Sequence, residues 1–161
     1  SLRYFNAAGY DVQGRITGLE KNPQNLIPIT MEVACGIKDD LKVFGNDYST
    51  EDGTGVRDYI HVNDLAVAHV NALDYLVNNN KDLLVNLGTG KGHSVLSVIE
   101  KTEEVTGKAV QFEVVDRRNG DPDTIISISE LANDLINWTP IHSDLDTLIR
   151  STWQVYKEYV R

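Results

Sequence analysis

The sequence predicts an α/β fold, and three observations carry that prediction. Short apolar strands alternate along the chain with longer stretches of helical periodicity. The run LLVNL (83–87) is almost continuously apolar, the pattern of a strand covered on both faces. At 161 residues, 41% apolar and 24% charged, the chain can bury a core and fits one domain or a large piece of one.

The elements follow in order. LRYFN (2–6) reads as a strand, and because the chain opens on it in mid-strand, the expectation is a cut inside a larger domain. Residues 7–24, rich in Gly, Asn and Asp, read as a long loop of the kind that is functional or mobile. A helix begins at Asn25. Pro28 suits its first turn, and Leu26, Ile29, Val33 and Ala34 share one side until Gly36. LKVFG (41–45) is a strand, NDYSTEDGTG (46–55) a turn-rich loop, and the alternating VRDYIHV (56–62) a strand. Asn63 or Asp64 is expected to cap a helix to about Val77, with Leu65, Ala68, Ala72, Leu73 and Leu76 on its apolar face. Ser94 caps the next helix, to about Val105, and VQFEVV (110–115) is a strand. After the polar loop RRNGDPD (117–123) comes a short helix over about 129–137. Ser143 with Asp146 then starts a last helix whose Leu145, Leu148, Ile149, Trp153 and Tyr156 share a face.

Charge narrows the function. Fifteen Lys+Arg against 24 Asp+Glu argue against a nucleic-acid or membrane-surface partner, which would meet a basic face. Cys35 is the only cysteine, so there is no disulfide framework. No apolar run of about 18 residues and no signal-peptide pattern occurs, and a soluble, cytoplasmic protein is expected. His61, His69, His93 and His142 are scattered without a cysteine partner, so no metal is expected.

NLGTGKGHSV (86–95) has the placement of a phosphate loop, after a strand and before a helix, but the wrong spacing. The dinucleotide fingerprint fails at His93, and the P-loop fails because Lys91 is not followed by Ser or Thr. The glycines suit a sharp turn that needs positive φ and no Cβ. No tyrosine has a lysine four residues later, the spacing at which an ammonium can lower a phenol pKa, and no G-x-S-x-G elbow is present. No catalytic residue is therefore assigned within this chain. What remains suits an anion. Arg57 and Arg118 could fork onto phosphate oxygens, and Asn25 opens a helix whose N–H groups attract phosphate. Phe44 could stack on a base, and Asp121 could accept from sugar hydroxyls. Each has a plainer alternative: Arg57 paired with Asp58 or Asp64, Arg118 with Asp116 or Asp121, and Phe44 in the core.

LRYFNAAG, NLIP, FGNDYSTEDGTGVRDYIHVNDLA, NLGTGKGHSV and RRNGDPD occur in this order, and together they resemble the C-terminal half of the UDP-glucose 4-epimerase family of extended short-chain dehydrogenases/reductases. The likeness runs from residue 2 to about 156 and is most specific over 44–66. It implies that residues 1–161 form one fragment: the C-terminal, UDP-sugar-binding portion of that fold with the last two strands of the Rossmann sheet (about 2–6 and 83–88). The N-terminal NAD-binding domain would lie outside it. In the family, a hydride passes from sugar C4 to NAD and returns to the other face, interconverting UDP-glucose and UDP-galactose. NAD is thus implied for the parent and no cofactor for the fragment alone, which is expected to be inactive.

By position, Asn6, Asn25 and Leu26 resemble the diphosphate contacts near the sugar and the helix start. Phe44 resembles the uracil site, Arg57 and Arg118 the diphosphate arginines, and Asp121 the ribose contact. Tyr4 and Phe5 would lie near the reacting sugar and nicotinamide. Two departures stand out: Ala7 replaces a common proline, and Gln24 stands where a second asparagine is frequent. Ile125 falls at the position that gates the sugar 2-substituent, which leaves UDP-N-acetylglucosamine open as a substrate. A dehydratase or a non-catalytic nucleotide-sugar module are the other readings. The apolar faces of LRYFN and LLVNL imply a homodimer or other self-association.

Overall fold

A computed structural model describes residues 1–160. In chain order the elements are β1 (Leu2–Arg3), β2 (Asn6–Ala8), α1 (Leu26–Ala34), β3 (Leu41–Phe44), β4 (Val56–Arg57), β5 (Tyr59–His61), α2 (Val62–Asn79), β6 (Val85–Asn86), β7 (His93–Ser94), α3 (Val95–Thr106), β8 (Phe112–Val115), β9 (Thr124–Ile125), α4 (Glu130–Ile136) and α5 (Leu145–Tyr156). A 3₁₀ turn, Lys157–Tyr159, follows α5. The expected α/β alternation is present, but the strands are short and fall into four small sheets: β1–β6, β2–β5, β3–β8 and β7–β4–β9. Every pairing is parallel except β4 with β7.

Two predicted strands break. LRYFN splits at Tyr4 and Phe5, so that β1 pairs with β6 and β2 with β5. β2 runs on to Ala8, which shortens the expected 7–24 loop at its start. That loop is anchored: Tyr10 N–H donates to Ser151 Oγ at 3.2 Å, and Val12 N–H to Asn63 Oδ1 at 3.2 Å. VRDYIHV splits at Asp58, with β4 in the three-stranded sheet and β5 beside β2. LLVNL also departs from expectation. Leu83, Val85 and Leu87 are buried while Leu84 is 56% exposed, so the strand is covered on one face only.

Asp58 sits at the VRDYIHV break, nearly buried. Its carboxylate accepts from Thr89 N–H (3.0 Å), Thr89 Oγ1 (2.6 Å) and Ser127 N–H (3.2 Å). Its own N–H donates to Ile125 C=O (3.1 Å), and its C=O accepts from Asn6 Nδ2 (2.8 Å). The glycine loop is shaped by this crossing. A Cβ at Gly88 would lie 2.1 Å from Ser127 O, and one at Gly92 2.4 Å from Val56 Cγ1. Of the three glycines only Gly90 has a positive φ (70°), so close approach, more than turn conformation, dictates them.

The starts of α2 and α5 differ from expectation by one to three residues. α2 is capped by His61, whose Nδ1 accepts from Asn63 N–H at 3.1 Å, not by Asn63 or Asp64. Its face is half as predicted: Leu65, Ala68 and Ala72 are buried, whereas Leu73 and Leu76 are exposed beside Val67, Val70 and Val77. α3 is capped by Ser94, as expected, with Ser97 N–H donating to its hydroxyl. Asp144, not Ser143, caps α5. Ser143 Oγ instead accepts from His61 N–H (2.9 Å) and donates to the buried Asp64 carboxylate (2.6 Å), which also takes His142 N–H. Leu148, Ile149 and Tyr156 of α5 pack with Ile27 and Met31 of α1 and Val98 of α3, while Leu65, Ala68 and Trp138 build a second core against β6. No described helix is long and apolar enough to cross a membrane.

Removing the Asp58 carboxylate strands the N–H groups of Thr89 and Ser127. Asp58→Ala is expected to cost about 2–4 kcal/mol, read in a thermal melt as a fall of roughly 5–15 °C. Asp58→Asn keeps one acceptor and should cost less. A melt unchanged by Asp58→Ala would show that the crossing does not depend on this group.

Candidate functional site

A cleft of about 240 Å³ opens between α1, β3, β4 and the RRNGD turn. Asn6, Asn25, Leu26, Phe44, Arg57, Arg118 and Asp121, drawn from across the sequence, all line it. β4 presents Arg57, the end of β3 presents Phe44, and β2 opens on Asn6. Arg118 and Asp121 stand at the two ends of one tight turn. Asp121 N–H donates to Arg118 C=O at 3.2 Å, and Gly120, at φ 79°, supplies the left-handed residue.

The helix start is open toward the cleft. Asn25 has extended backbone (φ −86°, ψ 151°) and its side chain makes no capping bond, so the first N–H groups of α1 lack a side-chain acceptor. Asn6 gives its Nδ2 to Asp58 C=O. The arginines do not take the partners expected of them. Arg57 pairs with neither Asp58 nor Asp64: its Nη2 lies 2.7 Å from Asp121 Oδ1, and its Nη1 donates to Val56 C=O at 2.8 Å. Gly55 makes room for that fold-back, since a Cβ there would meet Arg57 Nη1 at 3.3 Å. Arg118 pairs with neither Asp116 nor Asp121. Its Cζ sits 3.8 Å above the Phe44 ring centroid, a cation–π contact. Phe44 is partly exposed at the cleft wall and is no core residue.

Sequence reasoning missed Tyr59 and Lys42 as lining residues. Tyr59 is 5% exposed, and burial pushes its phenol up to about 12, so it is a neutral hydroxyl at ordinary pH. Its place two residues after Arg57 in an alternating string was the available signal. Lys42 turns its ammonium to Asp40 (3.0 Å) and Glu113.

Tyr4 and Phe5 do not line this cleft. They border a separate cavity of about 420 Å³ with Arg3, Asn86, Ile126, Ser127 and Ile128. Tyr4 is 40% and Phe5 56% exposed there, and because Asn6 follows Phe5, the two cavities flank one segment. The buried His61–Ser151 contact (3.1 Å) is no nucleophile–base pair. Nδ1 already accepts from Asn63 N–H, so Nε2 carries the proton and donates to Ser151. Burial lowers the His61 pKa and keeps the ring neutral. Among the described residues no group of three or more His, Cys, Asp or Glu is placed to hold a metal ion.

A family model described as GDP-mannose 4,6 dehydratase matches residues 1–152. A UDP-glucose 4-epimerase of Halalkalibacterium halodurans is 46% identical over 159 residues, 98% of this chain and 47% of that protein. A crystal structure of UDP-glucose-4-epimerase from Stenotrophomonas maltophila, with bound NAD and formylated UDP-arabinopyranose, superposes with a TM-score of 0.91 at 44% identity, covering 98% of this chain and 47% of that one. The UDP-Glc/GlcNAc 4-epimerase of Campylobacter jejuni superposes at 0.79 with 39% identity, covering 98% and 47%. The chain thus spans about half the length of the relatives it matches. By the family model and these likenesses together, it belongs to the GDP-mannose 4,6 dehydratase family, and within that family it is similar to the UDP-glucose 4-epimerases.

Proposed function

We propose that this chain is the substrate-binding, C-terminal half of a cytoplasmic UDP-glucose 4-epimerase that interconverts UDP-glucose and UDP-galactose with NAD. One observation carries the reading: two arginines, an open helix start, an aromatic face and a carboxylate surround a single cleft. A diphosphate suits Arg57 and Arg118, helped by Asn6, Asn25 and the Leu26 N–H. A uracil ring suits Phe44, and ribose hydroxyls suit Asp121. The UDP-sugar bound to the Stenotrophomonas neighbour supports this assignment.

NAD would supply the acceptor and donor of hydride at sugar C4. The residues here fit only one edge of it: Tyr4 and Phe5 offer exposed aromatic faces over the second cavity, and the chain has neither the dinucleotide glycine pattern nor the Tyr-x-x-x-Lys pair. The redox and acid/base groups would come from the other half of a protein of the relatives' length. The exposed Phe5 and Leu84, with the outer stripe of α2, would favour self-association. A second substrate reading has support in the C. jejuni neighbour, whose name joins UDP-Glc and UDP-GlcNAc, whereas Ile125, which the likeness places beside the sugar 2-substituent, lines neither cavity.

Titrated by calorimetry, the chain should bind UDP and not NAD, and Arg57→Ala and Arg118→Ala should each weaken UDP at least tenfold, the loss of about one charge-assisted contact. Absence of UDP binding would remove the support for the cleft assignment. A protein of the relatives' length carrying this sequence should turn over UDP-galactose with NAD, and its rate on UDP-N-acetylgalactosamine decides the second reading. Sedimentation of the chain should show a dimer or larger species that dissociates on Leu84→Glu. A clean monomer at high concentration would end the self-association reading.

A further inference from the structure

Every charged group assigned above to the ligand already has a partner inside the protein. Arg57 is held by Asp121 in an ion pair with little solvent access: the side chains are 16% and 32% exposed. The face of Phe44 is covered by the Arg118 guanidinium at 3.8 Å. The two pairs are cross-linked, because Arg118 and Asp121 are the ends of the same four-residue turn.

We propose that these pairs are a double latch, opened by exchange of partners, which makes the cleft select a ribonucleoside diphosphate over its separate parts. The inference rests on the reading of the cleft as a UDP-sugar site. A diphosphate that draws Arg57 away leaves the Asp121 carboxylate without its donor, and only a ligand that also brings ribose hydroxyls restores one. A base that takes the Phe44 face displaces Arg118, and only a ligand that also brings phosphate gives that guanidinium a new acceptor. Pyrophosphate alone therefore leaves the half-buried Asp121 carboxylate unpaired, which is costly, and uridine alone forfeits the stacking of the exposed Arg118 on Phe44 without replacing it. The intact nucleoside diphosphate replaces both. The shared turn couples the exchanges, since the Asp121 N–H to Arg118 C=O bond holds the two residues to one another.

The test is calorimetry of the whole 161-residue chain with pyrophosphate, uridine and UDP. Asp121→Ala should free Arg57 and raise pyrophosphate affinity about five- to tenfold, the effect of losing one partly screened ion pair. Arg118→Ala should bare Phe44 and raise uridine affinity about threefold or more while weakening UDP. Asp116→Ala removes an exposed charge from the same loop without touching Arg57, and should leave pyrophosphate within about twofold. Arg118 and Asp116 are exposed, so their variants should melt within about 2 °C of the parent, whereas Asp121→Ala leaves Arg57 unpaired and should melt a few degrees lower while still folding. An equal pyrophosphate gain in Asp116→Ala would reduce the effect to net charge and overturn the latch. So would an unchanged pyrophosphate affinity in Asp121→Ala, or an unchanged uridine affinity in Arg118→Ala. The pyrophosphate arm does not require UDP to bind, so failure of UDP to bind the unaltered chain tells against the cleft assignment separately.

Discussion

The carboxylate of Asp58 is the point from which the cleft hangs. It is a buried carboxylate with no cation bonded to it among the described residues, held by three N–H and O–H donors from two distant segments. Taking a carboxylate out of water is expensive, and such a group persists only where its lone pairs are filled. Filling them fixes the Thr89 loop and the chain after β9 against the β4–β5 junction. The main-chain groups of the same residue then fix Ile125 and Asn6. Arg57 and Tyr59 are its immediate neighbours, so the geometry of the cleft wall follows from how well this one group is satisfied.

A second buried carboxylate repeats the device at the other end of the same string. Asp64 gathers Ser143 and His142, and Ser143 in turn takes the N–H of His61. Trp138 completes the arrangement by donating its indole N–H to Asp64 C=O at 2.8 Å. The apolar clusters supply most of the burial, but they do not by themselves fix register. The directional bonds of Asp58 and Asp64 specify which segments cross and where.

The helices were largely legible because their signals are local: Ser94 before an apolar run, Gly107 after it, the spacing of Leu148, Ile149 and Tyr156. The strands were less so. Alternation in VRDYIHV is real, but nothing in its period shows that the chain leaves one sheet for another at Asp58. That break is set by Thr89 and Ser127, far away in sequence. The error at Leu73 and Leu76 has a similar source, since periodicity marks an apolar stripe without saying which part of it finds a partner within this chain. The cleft residues could be named singly from their chemistry, and the likeness to a family grouped them. Their mutual pairing, Arg57 with Asp121 and Arg118 on Phe44, was hidden because it depends on a turn closing over a strand from the other half of the sequence.

The glycine loop that first suggested a phosphate site has another meaning. Gly88 touches the Ser127 backbone, and Gly92 lies against the Val56 and Ile126 side chains, each with no room for a Cβ. Such contacts leave no slack to absorb an extra residue. From Val56 to His61 the chain serves two sheets, a buried carboxylate and the cleft, with opposite faces used in turn. The string can therefore drift in composition at its margins but not in length. No residue from Val56 to His61 is exposed, so an insertion or deletion of a single residue would shift every side chain onto the wrong buried neighbour, and would uncouple Arg57 from the ligand side and Tyr59 from the core in the same event.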